Sequence, residues 1–287
     1  MTVPTVRSFF HRRTCTYSHV VSDPAAKRAA VIDAVLDYAP NAARTSTKSA
    51  EEIVGYVKEA GLAVDWLIET HAHADHLTAT PFLKEKLGGS SVIGFNIPVV
   101  QQTFKKIFNL EASFATDGSQ FDLLMQDGGR LKLGGLDITA MHTPGHTPAC
   151  MTYVIGDAVF VGDTIFMPDY GTARCDFPGG DARMLYRSIG KIFALPGHYR
   201  VFMCHDYGAA GRDFACETTV EAERAGNIHV GAGIGEDEFV RMREARDKTL
   251  DLPDLILPSV QINIRAGCFP PPEANGVSYL KLPLDAL

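Results

Sequence analysis

Thr70-His71-Ala72-His73-Ala74-Asp75-His76 packs three imidazoles and a carboxylate into one short stretch. Imidazole nitrogens are borderline donors and carboxylate oxygens are hard ones, a combination that binds zinc, iron or manganese. Side chains alternate along an extended chain, so positions 71, 73 and 75 share one side. Position 76 turns the other way as the chain bends into a helix. One loop can thus feed two adjacent metal pockets. Taken alone, the same residues also admit a solvated histidine-rich loop without metal.

Outward from this stretch, Val64–Glu69 (VDWLIE) reads as the strand that delivers the chain into the cluster. Before it lie an apolar run at Ala29–Asp33 and a helix opened by a capping box at Ser49-Ala50-Glu51-Glu52. After it come a helix over Ala79–Leu87 ended by Gly88-Gly89, a strand Ser91–Phe95 and a helical pattern over Val99–Phe108. Gly128-Gly129 and Gly134-Gly135 then separate short β-type runs that end in Leu136–Met141. Met151–Ile155 and Ala158–Val161 flank a Gly156-Asp157 turn. A helix over Asp181–Ala194 and a strand over Tyr199–Cys204 follow, then helices over Glu217–Arg224 and Glu236–Lys248 and a proline-rich end. Strands in two sets with helices between them predict an α/β (α+β layered) fold rather than a purely parallel doubly wound sheet.

His71, His146, Asp163 and His205 each follow a strand-like run, so they can converge on one edge of a sheet pair. Singly the last three are weak signals. His146 sits after a Pro144-Gly145 turn, Asp163 follows Gly162 as a turn or cap aspartate would, and His205 ends a strand.

The 287 residues, 46% hydrophobic and 21% charged, describe an ordinary globular chain, and the length admits one or two domains. No repeat, low-complexity tract or linker interrupts it, so it reads as one unit. A net charge of −7 excludes nucleic acid and anionic membrane as default partners, and any anionic substrate must be gripped locally. Six cysteines without C-x-x-C spacing read as free thiols in a reducing compartment. With no signal-peptide core and no membrane-length apolar run, the expectation is a soluble, cytoplasmic (bacterial-like) protein.

Taken in order, HxHxDH, Thr-Pro-Gly-His, Gly-Asp and a strand-end His resemble the signature of the metallo-β-lactamase superfamily, over roughly Thr14–Tyr207. The resemblance implies an αββα sandwich of two mixed β-sheets flanked by helices, with the metal at one sheet edge. It is expected as a single domain over 1–287, with a core of 14–210 and a C-terminal extension of 211–287. The full two-metal set would be His71, His73 and His146 at one site and Asp75, His76 and His205 at the other, with Asp163 bridging.

Within the superfamily, Thr70–Thr78 (THAHADHLT), Gly171–Phe177 (GTARCDF) before Pro178–Asp181, Cys204–Tyr207 (CHDY) and Glu221–Asn227 (EAERAGN) look most like the persulfide dioxygenase (sulfur dioxygenase) branch, a relative of glyoxalase II. That likeness implies one Fe(II) per subunit on His71, His146 and Asp163. A face of two histidines and one carboxylate leaves about three positions open on an octahedral ion. His73, Asp75, His76 and His205 would then hydrogen-bond the ligands or, alternatively, hold a second metal. His205 and Tyr207 join the catalytic set.

The implied reaction is oxidation of glutathione persulfide by O2 and water to sulfite and glutathione, in sulfide detoxification. Glutathione carries two carboxylates and an ammonium, so arginines suit its pocket, and Arg174, Arg224 and Arg265 are the candidates. Cys175 and Cys268 are given no role, no nucleic acid or membrane partner is expected, and a homodimer is admissible. The alternative fills both sites with zinc and hydrolyses a thioester, as a hydroxyacylglutathione hydrolase of the glyoxalase II type. A non-catalytic redox sensor or a flavodiiron-like module is a third class, and the latter lacks its flavodoxin-like segment here. The ligand list admits the first two equally. GTARCDF, and a tail without an obvious match to the glyoxalase II substrate-binding domain, favour the dioxygenase.

Overall fold

In the computed structural model, which describes residues 3–285, the strands in chain order are β1 (Thr5–His11), β2 (Thr16–Asp23), β3 (Arg28–Ile32), β4 (Val35–Ala39), β5 (Arg44–Ser46), β6 (Ala63–Ile68), β7 (Leu77–Thr78), β8 (Ser90–Gly94), β9 (Leu123–Met125), β10 (Arg130–Leu133), β11 (Leu136–His142), β12 (Met151–Ile155), β13 (Ala158–Phe160), β14 (Arg200–Phe202) and β15 (Glu217–Thr219). The helices are α1 (Lys48–Glu59), α2 (Thr80–Leu87), α3 (Ile97–Ile107), α4 (Ala182–Phe193), α5 (Val220–Gly226), α6 (Glu236–Asp247) and α7 (Ile256–Asn263). One six-stranded sheet has the order β1-β2-β3-β6-β8-β9 and a second the order β10-β11-β12-β13-β14-β15, with a small β5-β4-β7 sheet beside them. Both large sheets are mixed. β3, β6, β8 and β9 run parallel in the first, and β13 pairs parallel with β14 in the second.

Period-two alternation assigns the layers. Ala30 and Ile32 of β3 point inward with Ile68 and Val92 to meet Ile138, Tyr153, Ile155 and Phe160 of the second sheet. Their neighbours Ala29 and Val31 face out onto Ile53 and Val57 of α1 and Leu83 of α2. On the other outer face, Val159 and Val201 meet α4 through Ala182, Leu185, Ile189 and Ile192, a helical stripe that also carries Phe239 of α6. The layers are therefore helix, sheet, sheet, helix: the layered fold that the strand grouping predicts, in the order that the resemblance implies.

This topology sets the site. β11 is antiparallel to β12 and β12 to β13, so β11, β13 and β14 point the same way and open their carboxyl ends on one edge. The two sheets are stitched together there. The Met151 amide donates to the Thr70 carbonyl at 2.9 Å and the Tyr17 amide to the Cys204 carbonyl at 2.7 Å.

Some local expectations change. α1 starts at Lys48, and Ser49 caps nothing, because its amide and hydroxyl both donate to the Asp37 carboxylate at 2.9 and 2.7 Å. The predicted Glu217–Arg224 helix is split. Residues 217–219 pair with β14, and Thr219 then caps α5 by accepting from the Ala222 amide at 3.1 Å. α7, inside the proline-rich end, and the N-terminal hairpin were not foreseen. β2 is buried along its whole length, so its polar residues mask the pattern while finding internal partners such as His19 Nε2 to the Met203 carbonyl at 2.9 Å. No helix among the described residues is long and apolar enough to cross a membrane.

Within α5, burial pushes the Glu223 carboxyl up from its usual 4.5 to about 8, against the lowering effect of the Asn227 amide that donates to it at 2.8 Å. The unfolded chain gives up this proton first. The contribution of this carboxyl to stability should therefore fall as pH rises from about 4.5 to about 8, by on the order of a few kcal/mol, and level off above that, while His19 and His229, which burial takes down to about 4, act in the opposite direction below about 6.5. In urea unfolding measured across pH, the difference between the native protein and Glu223→Gln should show this fall. A difference independent of pH would assign the dependence elsewhere.

Candidate metal centre

Asp33, just after β3, anchors the centre. It adopts a left-handed backbone (φ 52°), which aspartate tolerates better than most residues. Its carboxylate accepts from the Thr70 amide at 2.8 Å, from Thr70 Oγ1 at 2.9 Å and from His73 Nε2 at 2.9 Å. With its own proton committed to Asp33, Thr70 Oγ1 can only accept from His71 Nδ1 at 3.0 Å. That fixes the His71 tautomer and turns a bare Nε2 toward the centre.

The other histidines follow the same logic. His146 Nδ1 donates to the Arg174 carbonyl at 2.8 Å, His76 Nδ1 to the Leu77 carbonyl at 3.3 Å and His205 Nδ1 to the Cys15 carbonyl at 3.3 Å. Each leaves Nε2 free. His73 is reversed, since its Nε2 faces Asp33 and, at 3.4 Å, Glu69, so its Nδ1 is the inward atom. The buried polar atoms without any hydrogen-bond partner include His71 Nε2, His73 Nδ1, Asp75 Oδ2, His76 Nε2, Asp163 Oδ1 and His205 Nε2. Such orphans are costly unless something binds them, and imidazole nitrogens with carboxylate oxygens are a metal's donor set.

Asp163 divides the cluster. One oxygen lies 3.7 Å from both His71 Nε2 and His146 Nε2, and the other lies 3.4 Å from His205 Nε2. His205 Nε2 is also 3.3 Å from Asp75. The ligand atoms of His71, His146 and Asp163 lie within 4.8 Å of one another, and so do those of His73, His76, Cys204 and His205, so His73, turned by its bond to Asp33, falls in the second group instead of the expected first, and Cys204 joins it. Two glycines permit this. A Cβ on Gly162 (φ 52°) would sit 2.5 Å from Thr70 Oγ1, and one on Gly145 (φ 136°) would sit 2.3 Å from the Leu185 amide nitrogen.

Electrostatics separates the histidines. Burial lowers His71 and His146, and takes His76 to about 3, so these stay neutral and able to coordinate. Burial also acts to lower His73 and His205. Asp33 outweighs it at His73, and Asp163 with Asp75 outweighs it at His205, so both lie above the usual histidine value. Burial drives the Cys204 thiol well up, helped by Asp33.

Above the centre opens a cavity of about 380 Å³, walled by Phe166, Tyr170, Phe177 and Tyr207 and floored by Asp75, His146 and Asp163. Tyr207 stacks on Tyr170 with ring centroids 4.7 Å apart and lies 6.0 Å from the His205 ring. The three expected substrate arginines are not brought together. Arg174 reaches the cavity, but Asp176 takes its Nε and Nη2. Arg224 lies elsewhere and donates to the Phe193 and Leu195 carbonyls. Arg265 is buried in a two-pronged pair with Glu111 at 2.6 and 2.9 Å. Cys175 is buried, which pushes its thiol up, and Cys268 is exposed away from the cavity.

Several supporting residues escaped the sequence reading. Asn263 of α7 clamps the histidine loop, donating to the carbonyls of His73 (2.8 Å) and His76 (2.7 Å) and accepting from the Thr78 amide (2.9 Å). In α6, buried Arg243 pairs with Asp247 and donates to the Thr172 carbonyl at 3.0 Å, while Asp247 accepts from the Cys175 amide at 2.9 Å. Those bonds, with the Thr172 amide donating to His229 Nδ1 at 2.9 Å, fix the segment whose Arg174 carbonyl orients His146. No local signal marks these partners. A buried amide in a helix reads like any other polar residue until its carbonyl partners are known.

A family model described as the Metallo-beta-lactamase superfamily matches residues 16–205. A Burkholderia pseudomallei (strain 1710b) protein named as a metallo-hydrolase is 55% identical over 293 residues, covering 99% of this chain and 100% of that protein. Human persulfide dioxygenase ETHE1, mitochondrial, is 31% identical over 265 residues, covering 91% of this chain and 88% of that one. The crystal structure of ETHE1 from Myxococcus xanthus superposes with a TM-score of 0.73 at 29% identity, covering 92% of this chain and 100% of that one.

Asn263→Ala would strand two buried carbonyls and an amide beside the ligand loop. Metal affinity, measured by chelator competition, should fall about 10- to 100-fold while the fold persists by circular dichroism. Unchanged affinity would reduce Asn263 to ordinary packing.

Proposed function

This chain belongs to the metallo-beta-lactamase superfamily, and from that premise we propose that it is a persulfide dioxygenase with one iron(II) on His71, His146 and Asp163. It would oxidise glutathione persulfide with O2 and water to sulfite and glutathione. The observation that carries this reading is the buried face of two histidines and one carboxylate, two of whose members floor the aromatic cavity. Similarity to human persulfide dioxygenase over most of both chains supports it. Iron(II), when bound, supplies open coordination positions and a redox partner through which O2 can react with sulfur, which redox-inert zinc lacks.

The chain's own groups do the rest. Thr70 and the Arg174 carbonyl hold His71 and His146 with Nε2 forward, so the ligand face is formed before anything binds. Phe166 and Phe177 line the approach and exclude water from the reacting sulfur. His205, between Asp75 and Asp163, holds a proton beside the centre, and Tyr207 presents its ring to the cavity wall. Residues 211–287 belong to the same working unit on this reading, because α6 and α7 brace both ligand loops.

One observation favours a second reading. The orphaned atoms supply donors for two metals, with Asp163 facing both groups, as a two-zinc thioester hydrolase would need. Metal analysis of anaerobically purified protein with oxygen uptake on glutathione persulfide separates the two. One iron per chain with oxygen consumption is expected. Two zinc ions with thioester hydrolysis and no oxygen uptake would replace the first reading by the second. His146→Ala or Asp163→Ala should abolish iron binding, whereas His205→Ala should keep near-stoichiometric iron and mainly lower activity. Loss of half the bound metal in the His205 variant would indicate a two-metal centre.

A further inference from the structure

Four arginines line the cavity, and their hydrogen bonds divide them into two pairs. Arg174 gives Nε and Nη2 to Asp176 and Nη1 to the Asp251 carbonyl. Arg243 gives Nε and Nη2 to Asp247 and Nη1 to the Thr172 carbonyl. Both guanidinium groups are consumed inside the protein. Arg13, in the turn between β1 and β2, and Arg246, in the last turn of α6, are exposed, and their side chains make no hydrogen bond or ion pair among the described residues. They reach one cavity from opposite ends of the chain, in a protein of net charge −7. Asp251 and Asp254 add exposed carboxylates to the same rim.

We propose that Arg13 and Arg246 are the specificity-determining residues of this cavity, binding the carboxylates of a zwitterionic, peptide-sized thiol derivative whose sulfur end faces the metal centre. A free guanidinium offers a planar fork of donors that matches a carboxylate two-pronged, and two of them suit a ligand with two carboxylates. The rim aspartates match an ammonium on the same ligand and disfavour a molecule that is anionic throughout. The aromatic wall packs on the methylene that carries the sulfur toward the centre, and the cavity volume of about 380 Å³ falls in the range of small-molecule sites. Arg174, the arginine most conspicuous in the sequence, then shapes the wall without contacting the ligand's charge. The identity of the peptide rests on the proposed function, but its recognition does not depend on which reaction follows.

The test is isothermal titration of the metal-loaded protein with S-methylglutathione, which carries neither persulfide nor thioester, and with its diethyl ester, which lacks both carboxylates. The native protein should prefer the acid over the ester by about tenfold or more. Arg13→Gln and Arg246→Gln should each weaken the acid about tenfold, and the double variant should bind acid and ester alike, with ester affinity and metal content unchanged. The proposal is overturned if the double variant binds S-methylglutathione within about twofold of native, or if the native protein binds the acid no better than the ester. Arginine-dependent binding without oxygen uptake on glutathione persulfide would sink the dioxygenase reading and leave this one standing.

Discussion

The centre depends on a buried carboxylate at a chain reversal. Asp33 is almost wholly enclosed, and a lone charge there would be prohibitively costly, so its three donors are obligatory partners. Those donors are the Thr70 amide, the Thr70 hydroxyl and the His73 ring, and they start the metal-binding loop. A single interaction between two adjacent parallel strands, β3 and β6, therefore fixes where the loop begins and which nitrogen of His71 and of His73 faces inward. The remaining geometry follows from it. Once His71 Nε2 points into the gap between the sheets, Asp163 and His146 have a common place to meet it.

Beyond the attraction of Asp75 and Asp163 for His205, the neutral imidazoles of His71, His76 and His146 gain little from one another until a cation is present, so contacts from outside the cluster carry much of the geometry. Here much of that support comes from the last quarter of the chain. Asn263 bonds the histidine loop at three points, and the Arg243–Asp247 pair bonds the segment whose carbonyl orients His146. Each contact spans a long sequence separation, and each is buried, where hydrogen bonds are strongest and most expensive to lose. α6 and α7 are thus part of what makes the centre rigid. The exposed end of α6 also presents Arg246 to the cavity, so one helix both braces the centre and lines the approach to it.

How much of this was legible in the sequence varies with the range of the interaction. The HxHxDH stretch is legible by itself, whereas His146 after its turn, Asp163 after Gly162 and strand-end His205 are weak signals singly and stand out only because their order resembles the superfamily signature. The layered α/β architecture followed from strand periodicity and turn chemistry, which are local, with errors where a neighbour overrode them. Ser49 turned to Asp37 instead of capping α1, and residues 217–219 joined a sheet edge instead of a helix. The three expected arginines end up apart for a related reason. Whether a guanidinium is available depends on whether a carboxylate elsewhere in the chain has already taken it, as Glu111 has taken Arg265.

By itself the sequence determined the donor types and their order and set them at strand ends from which they can converge, while their gathering on one sheet edge came from the superfamily resemblance. Only the tertiary structure decided which nitrogen of each histidine faces inward, that Cys204 approaches the second donor group, and that Asn263, Arg243 and Asp247 brace the centre. It also decided which arginines remain free beside the cavity. The physical reason is that a side chain's chemistry is its own, but its hydrogen bonds, charge state and availability are set by partners that only folding brings within reach.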